Sequence, residues 1–245
     1  MTTIDLGSAL GGAPESALAI GAHPDDIEFG CGATLARWAA AGCRVEYLVL
    51  TDGSKGSWDA SDSRVALVAL RKEEQRAAAV AVGARGVVFL DYVDGELESG
   101  LPERERVCAA IREARPVVVL GHDPWKRYRL HPDHRHAGLL AVEGIVAARD
   151  PHFFPGQAHL HHRPSHILFW EADEVDHLEG IEAFLPTKLA ALACHRSQWR
   201  STMGVHEDPE REWPEFERRI RDRAQAAGQR AGLPGAEAFK RLDLG

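Results

Sequence analysis

The chain has 245 residues, enough for one substantial domain, and its 44% hydrophobic content is ordinary for a soluble globular protein. Asp and Glu outnumber Lys and Arg by 37 to 29, a formal charge of −8 that argues against a broad basic face for nucleic acid. No linker-like stretch, repeat, basic-then-apolar leader or membrane-length apolar run occurs, so a single domain over 1–245 without a transmembrane segment is expected. Cys31, Cys43, Cys108 and Cys194 are scattered with no CxxC pair, and a reducing cytoplasm is the default location.

The apolar run Ala17–Gly21 reads as a buried strand, and the first cluster of metal-binding side chains, His23-Pro24-Asp25-Asp26 with Glu28 beyond, follows it directly. Gly32–Ala41 then reads as a helix that stops at Gly42, and Arg44–Thr51 as a second strand. Ser63–Val82 is a longer helix with Ser63 as N-cap and Gly83 as stop. Gly86–Asp91 is a strand, Pro102–Ala114 a helix, and Pro116–Gly121 a fourth strand. A loop carries the chain to the second cluster, His131-Pro132-Asp133-His134, from which a helix runs to Arg149. Ser165–Trp170 is the last clear strand; Pro186–Gln198 and the highly charged Pro209–Ala231 are helical, and the tail 236–242 suits a final short element. Strands alternating with helices predict an α/β fold: a Rossmann-like three-layer sandwich on a largely parallel sheet, with a core over about 17–200 and a charged helical region over 208–245.

In a parallel sheet, loops leaving the carboxyl ends of the strands meet in one crevice, so clusters over a hundred residues apart can share a pocket. Two imidazoles and a carboxylate make a three-ligand hydrolytic zinc site with an open position. His23 and Asp26 lie three apart at a strand-to-helix turn and can converge on one ion; His134 completes the set. Asp25, between them, is better placed to reach a water held there. His131 lies beside the site as an acid or oxyanion partner, and Asp133 can orient an imidazole. Helix capping explains an isolated Asp in such loops. It does not explain two His-Pro-Asp clusters.

Ala22-His23-Pro24-Asp25-Asp26-Ile27-Glu28-Phe29-Gly30-Cys31-Gly32-Ala33-Thr34 resembles the opening signature of the PIG-L/LmbE-like zinc-dependent de-N-acetylases, and His131-Pro132-Asp133-His134 resembles their second. Leu70-Arg71-Lys72-Glu73-Glu74 and His195-Arg196-Ser197-Gln198 are similar to weaker family features in the same order. The resemblance implies zinc on His23, Asp26 and His134, Asp25 as general base, a protonated His131 at the oxyanion, and Arg71 in the pocket. It further implies removal of an acetyl group from an N-acetylated amino sugar such as an N-acetylglucosaminyl conjugate. His2Asp ligation also accepts Fe2+ or Co2+.

Weaker signals surround the motifs. Thr51-Asp52-Gly53-Ser54-Lys55-Gly56-Ser57 reads as an ordinary loop whose glycines could alternatively expose N–H groups to an anion. Asp91, at a strand end, suits either a sugar hydroxyl or a turn. The basic stretch Pro124-Trp125-Lys126-Arg127-Tyr128-Arg129 reads as a solvated loop, or as an aromatic platform with anion attraction. His152, His159, His161, His162 and His166 crowd a Pro-rich loop without carboxylates at ligand spacing, which disfavours a second metal site. Cys194-His195 is a poor thiol nucleophile because Cys194 is expected mid-helix. A metal-dependent phosphoesterase or other hydrolase on the same residues is the competing enzyme class, and phosphoryl chemistry would favour a second ion. A nucleotide-binding module fits worse: Leu35 stands at the last glycine place of G-x-G-x-x-G. Neither a G-x-S-x-G nor a P-loop motif occurs. The aglycone, the physiological metal and any homo-oligomer are not legible.

Overall fold

The computed structural model describes residues 12–229 and 231–245. Strand and helix alternate along the chain as β1 (Ser16–Gly21), α1 (Asp26–Ala40), β2 (Arg44–Thr51), α2 (Arg64–Val82), β3 (Val87–Tyr92), α3 (Leu101–Ala114), β4 (Val118–His122) and α4 (Pro132–Arg149). Then come β5 (His166–Trp170), β6 (His177–Gly180), α5 (Leu185–Ala193), α6 (Pro209–Gln229) and β7 (Ala236–Asp243). The sheet order is β3-β2-β1-β4-β5-β7-β6. β1 to β5 pair in parallel, while β7 runs antiparallel to both β5 and β6. The fold is thus α/β on one mixed, mostly parallel sheet.

Side-chain alternation along the strands makes three layers. Ala17 and Ala19 face a core shared with Leu35, Trp38 and Ala78, contributed by α1 and α2. Leu18 and Ile20 face the opposite core with Val107, Ile111, Leu140 and Ile145, contributed by α3 and α4. The strands read as continuous apolar runs because helices cover both faces.

Several elements depart from the expected bounds, for local reasons. α1 begins at Asp26, inside the first motif, and kinks at Cys31 (φ −148°, ψ 17°), where two helical segments meet. α4 likewise begins at Pro132, with proline in the first turn, where its missing N–H costs nothing. The helix expected over 186–198 ends at Ala193: His195 leaves helical geometry (φ −81°, ψ 60°) because its imidazole turns inward to Glu28. Cys194 therefore sits at a helix end, not mid-helix. The tail is a full strand, β7, in the sheet between β5 and β6, so the carboxyl-terminal region is structural; residue 230, within the expected helix 209–231, lies outside the described residues. No helix among the described residues is long and apolar enough to cross a membrane.

Candidate active site

Strand order reverses between β1 and β4, and the two motifs start in the chain just beyond these strands. In open α/β sheets such a reversal opens a crevice at the strands' carboxyl ends. Asp25 occupies the left-handed region (φ 95°, ψ −26°), rare for a residue with a Cβ, and its side chain makes no capping bond. Strain of about 1–3 kcal/mol persists only where surroundings impose it. Here the Asp25 N–H donates to Gln75 Oε1 at 2.9 Å, Gln75 Nε2 donates to Glu28 Oε1 at 2.9 Å, and Glu28 Oε2 pairs with His195 Nε2 at 3.1 Å. Arg71 completes the clamp: it donates to Pro24 O at 2.6 Å and Gly53 O at 2.9 Å and lies 3.6 Å from Asp25 Oδ2. Burial pushes the Asp25 carboxyl up to about 6; Arg71 works against that rise and Asp26 adds to it.

The histidine tautomers follow from their partners. His23 Nε2 lies 3.1 Å from Asp133 Oδ2 and 3.2 Å from Asp94 Oδ1, two acceptors, so it carries a hydrogen, and Nδ1 is the nitrogen an ion would take in place of a proton. Asp26 Oδ2 accepts the His23 backbone N–H at 2.7 Å and His122 Nε2 at 3.2 Å. His122 is in turn fixed because Trp170 Nε1 donates to its Nδ1 at 3.0 Å. Nitrogens of both motifs converge on the same carboxylate: His23 Nδ1 lies 3.3 Å from Asp26 Oδ2, His134 Nε2 lies 3.3 Å from Asp26 Oδ1, and the two nitrogens are 3.2 Å apart. A tetrahedral ion with bonds of about 2.0–2.1 Å separates its ligands by about 3.3 Å. The spacings are of that order, and among the described residues the side chains whose donor atoms lie mutually close enough to hold a metal are His23, His131 and His134; His23, Asp94, His131 and Asp133; and Asp26, His122 and His134. Electrostatics agree: burial disfavours a charged His23, yet bonds to Asp133, Asp26 and Asp94 outweigh it and raise its pKa well above 6.5. Positive charge is welcome at this point. One feature runs against the set, since His134 Nδ1 faces the Arg129 guanidinium at 3.3 Å, a donor rather than an acceptor.

His131 caps α4: its Nδ1 accepts the Asp133 N–H at 3.3 Å. Its ring meets His23 edge-on at 4.6 Å and stacks on His134 at 4.9 Å. Burial, then His23 and His134, lower its pKa, which together with the accepting Nδ1 describes a neutral ring with hydrogen on Nε2. Asp133, fully buried, accepts the Gly95 N–H at 2.7 Å and the Leu97 N–H at 3.3 Å, so the imidazole it orients is that of His23. Arg71 is buried in the wall. Asp91 is not in the site: it lies exposed at φ 59° with Lys72 at 2.5 Å, and Asp94, three residues on, reaches His23 instead.

Other expectations resolve against the same frame. Gly53 and Gly56 are bare because Arg71 lies against both; a Cβ on Gly53 would stand 2.7 Å from Nη1. The basic loop is tied to the 171–173 segment: Lys126 Nζ donates to the Glu171 backbone O at 2.5 Å, the Arg127 backbone N–H to Asp173 at 2.7 Å, and the Arg129 guanidinium to the Glu171 carboxylate at 2.6 Å. Trp125 packs edge-on against Phe169 at 5.7 Å, while Trp58, 84% exposed, lines a cavity beside the motifs. In the histidine-rich loop His162 lies 2.8 Å from Pro116 O and His166 2.8 Å from Asp243; among the described residues the metal-capable groups all involve the two motifs. Burial raises the Cys194 thiol, away from the thiolate a nucleophile needs. His122, Asp94, Gln75 and the His195–Glu28 pair escaped the sequence reading. His122 and Asp94 carried a faint signal, each falling one to three residues beyond an expected strand end.

Two cavities meet at Asp25, Asp26 and His134, one of about 610 Å3 and one of about 370 Å3. Residues 18–145 match the family model described as "PIG-L: GlcNAc-PI de-N-acetylase", and the chain belongs to that family. The chain is 34% identical over 226 residues to the diacetylchitobiose deacetylase of Thermococcus kodakarensis, covering 91% of this chain and 81% of that one. It is 30% identical to the 1D-myo-inositol 2-acetamido-2-deoxy-alpha-D-glucopyranoside deacetylase of Thermomonospora curvata, covering 74% and 80%. Among solved structures, N,N'-diacetylchitobiose deacetylase from Pyrococcus horikoshii superposes with a TM-score of 0.87 at 29% identity, covering 98% of this chain and 87% of that one. These relatives are deacetylases of N-acetylglucosamine-type compounds, which supports a hydrolase here.

Proposed function

We propose that this protein is a metal-dependent amidohydrolase that removes an acetyl group from an N-acetylated amino sugar. His23, Asp26 and His134 would hold the ion. The observation that supports the reading is the approach of His23 Nδ1 and His134 Nε2 to 3.2 Å of each other and each to 3.3 Å of an Asp26 carboxylate oxygen, with the Asp25 carboxylate clamped beside them. Zinc suits the donor set first, with Fe2+ or Co2+ also accepted. Such an ion, when bound, supplies Lewis acidity to water and to the amide carbonyl.

The protein's own groups supply the proton chemistry. Asp25, at about 6, is mostly ionised near neutral pH yet still basic enough to take a proton from the attacking water. Arg71 and the Gln75 bond hold that carboxylate and its backbone in place, so little reorganisation is needed during reaction. The Nε2–H of His131, whose Nδ1 is held by the Asp133 N–H, donates to the oxygen that gains negative charge. The amide C–N bond then breaks. Asp25 returns its proton to the departing nitrogen, leaving acetate and a free amine. The exposed Trp58 indole, with Lys55 and Gln198 nearby in the smaller cavity, suits a sugar ring.

A phosphoesterase would want a second ion. The neighbouring group His23, Asp94, His131 and Asp133 reuses His23 through a nitrogen already bonded to both carboxylates, and Asp133 is further occupied by two backbone N–H groups. The test is acetate release from N,N'-diacetylchitobiose and N-acetylglucosaminides, with metal content measured on the same sample. Activity that falls with chelation and returns with stoichiometric zinc is expected. Full activity of a metal-free sample, or phosphate-ester cleavage without amide cleavage, would overturn the reading.

A further inference from the structure

Among the described residues, one group able to gather an ion is Asp26, His122 and His134, in which His122 stands where the proposed set has His23. Hydrogen bonding decides between the two imidazoles. His122 and Trp170 are register partners at the carboxyl ends of β4 and β5, and their rings meet edge-on at 4.8 Å. An indole can only donate, and Trp170 Nε1 gives its hydrogen to His122 Nδ1 at 3.0 Å. The ring hydrogen of His122 therefore sits on Nε2, which keeps no lone pair for an ion. A ligating imidazole wants an acceptor at its far nitrogen, and Trp170 offers the opposite. The indole is held in place: it is 1% exposed and packs so closely on Gly30 that a Cβ there would stand 2.5 Å from Cδ2.

The hydrogen on His122 Nε2 goes to Asp26 Oδ2 at 3.2 Å, an oxygen that already accepts the His23 backbone N–H at 2.7 Å. A carboxylate oxygen has about two lone-pair sites, so Oδ2 is filled. Oδ1 faces His134 Nε2 at 3.3 Å, a contact that an ion between them would replace. The His122 ring also stacks on that of His134, centroids 4.3 Å apart and planes 15° from parallel. One buried side chain thus touches two of the three proposed ligands while being unable to ligate.

We propose that His122 is a positioning residue for the metal: by filling Asp26 Oδ2 it restricts Asp26 to a single ligating oxygen, Oδ1, with Trp170 fixing the His122 ring and the bare Gly30 making room for Trp170. The proposal rests on the amidohydrolase reading above and deepens it. Two imidazole nitrogens and one oxygen then take three positions, and a position stays open for water or substrate, as in hydrolytic zinc sites. Without the His122 bond, Oδ2 has a free lone pair beside His23 Nδ1, 3.3 Å away, and joins the ion as a second oxygen, closing that position.

The experiment loads the full-length protein with zinc, as wild type, His122→Leu and His122→Gln, and joins crystal structures to metal analysis and kinetics. Wild type is expected to hold zinc through Asp26 Oδ1 alone, at about 2.0–2.2 Å. His122→Leu, which has no donor, is expected to keep one equivalent of zinc, to bring both Asp26 oxygens onto it, and to lose about 10–100-fold in kcat. The Gln amide can still donate to Oδ2, and His122→Gln is expected to restore one-oxygen ligation and most of the lost kcat. Zinc held in wild type through Oδ2, through both oxygens or through His122 Nε2 overturns the proposal while leaving the amidohydrolase reading intact. A His122→Leu protein whose Asp26 still offers one oxygen also overturns it. Wild-type protein that takes up no zinc and is fully active without metal sinks the metal-dependent reading itself. The wild-type coordinates need no variant, so a misfolded His122→Leu does not shelter the proposal.

Discussion

Asp25 is fixed by buried side chains from α2 and, through Glu28, from the segment after α5, whereas the loop entering the second motif is fixed mostly by partly exposed ion pairs. On the first side Gln75 and Arg71 grip a strained backbone, and Glu28 and His195 are fully buried behind them. On the second, Lys126 and Arg129 lean on Glu171, and Tyr128 and Leu130 are 89% and 95% exposed. Exposed contacts such as that of Lys126 hold a loop by about 0–1 kcal/mol each, and Arg129, though its own side chain is largely buried, leans on a half-exposed Glu171. A buried network fails at greater cost because each loss strands a partner. The group proposed to move protons thus sits on the rigid side, while the loop facing His134 is free to adjust.

The largest effects separate the ion from the base. His134→Ala is expected to abolish tight metal binding and, with it, essentially all turnover. Asp25→Asn is expected to keep a full equivalent of metal yet lose about 10²–10⁴-fold in kcat. Metal analysis beside kinetics distinguishes them, and an Asp25→Asn protein that loses its metal would show that Asp25 is a ligand instead.

Gln75→Met tests the clamp without touching the ion or the carboxylate. It leaves the buried Asp25 N–H without its acceptor and Glu28 Oε1 without a donor, at about 1–3 kcal/mol of stability. The strained Asp25 backbone is then free to relax, and a shift of about 1 Å in a reacting group can cost about 10²-fold. A kcat drop of roughly tenfold to a hundredfold with KM and metal content unchanged is expected. Arg129→Ala, on the looser side, should move kcat by less than about threefold. Equal losses at both positions would erase the contrast between the two sides.

The parts legible in sequence were those with local signals. β1 to β5 announce themselves as apolar runs, and the His-Pro-Asp repeats carry their own chemistry at short range. Gln75 had no such signal, and the partners of His122 and His195 were hidden even though His195 stands in one of the motifs, because each matters through a contact 50 to 167 positions away. Gln75 reaches Asp25 across 50 residues, His122 reaches Asp26 across 96, and His195 reaches Glu28 across 167. Sequence spacing exposes partners on one turn; it is blind to pairs made by packing α2 and the α5 exit against α1. β6 was missed for a different reason: four residues at a sheet edge are too few to show a period.

The buried His195–Glu28 pair offers a pH-dependent readout of the rigid side. Burial alone would lower the His195 pKa, but the bond and charge of Glu28 outweigh it and raise the folded value above the reference of 6.5. A group with a raised folded pKa adds stability that is complete below its unfolded pKa and fades as pH climbs through the folded one. His195→Gln, which keeps a donor for Glu28 but no titrating ring, is therefore expected to lower Tm most below pH 6.5 and least at alkaline pH. A Tm deficit that stays constant across pH would show that the pair contributes packing but no charge.

The smallest expected effect concerns Arg129, on the adjustable side. Its guanidinium can only donate, so the 3.3 Å contact uses His134 Nδ1 as an acceptor. An imidazole that binds an ion through Nε2 carries its hydrogen on Nδ1 and wants an acceptor there. Metal loading should accordingly push Arg129 off His134 and toward Glu171, which already holds it at 2.6 Å. In Arg129→Gln a side-chain carbonyl can take the Nδ1 hydrogen, and a positive charge beside the cation is gone. We expect metal affinity to rise by about threefold to tenfold in competition with a chelator, with thermal stability changed by less than about 1 kcal/mol. A fall in affinity would mean that Arg129 supports His134 as a ligand, and that the apparent looseness of this loop is itself part of the metal site.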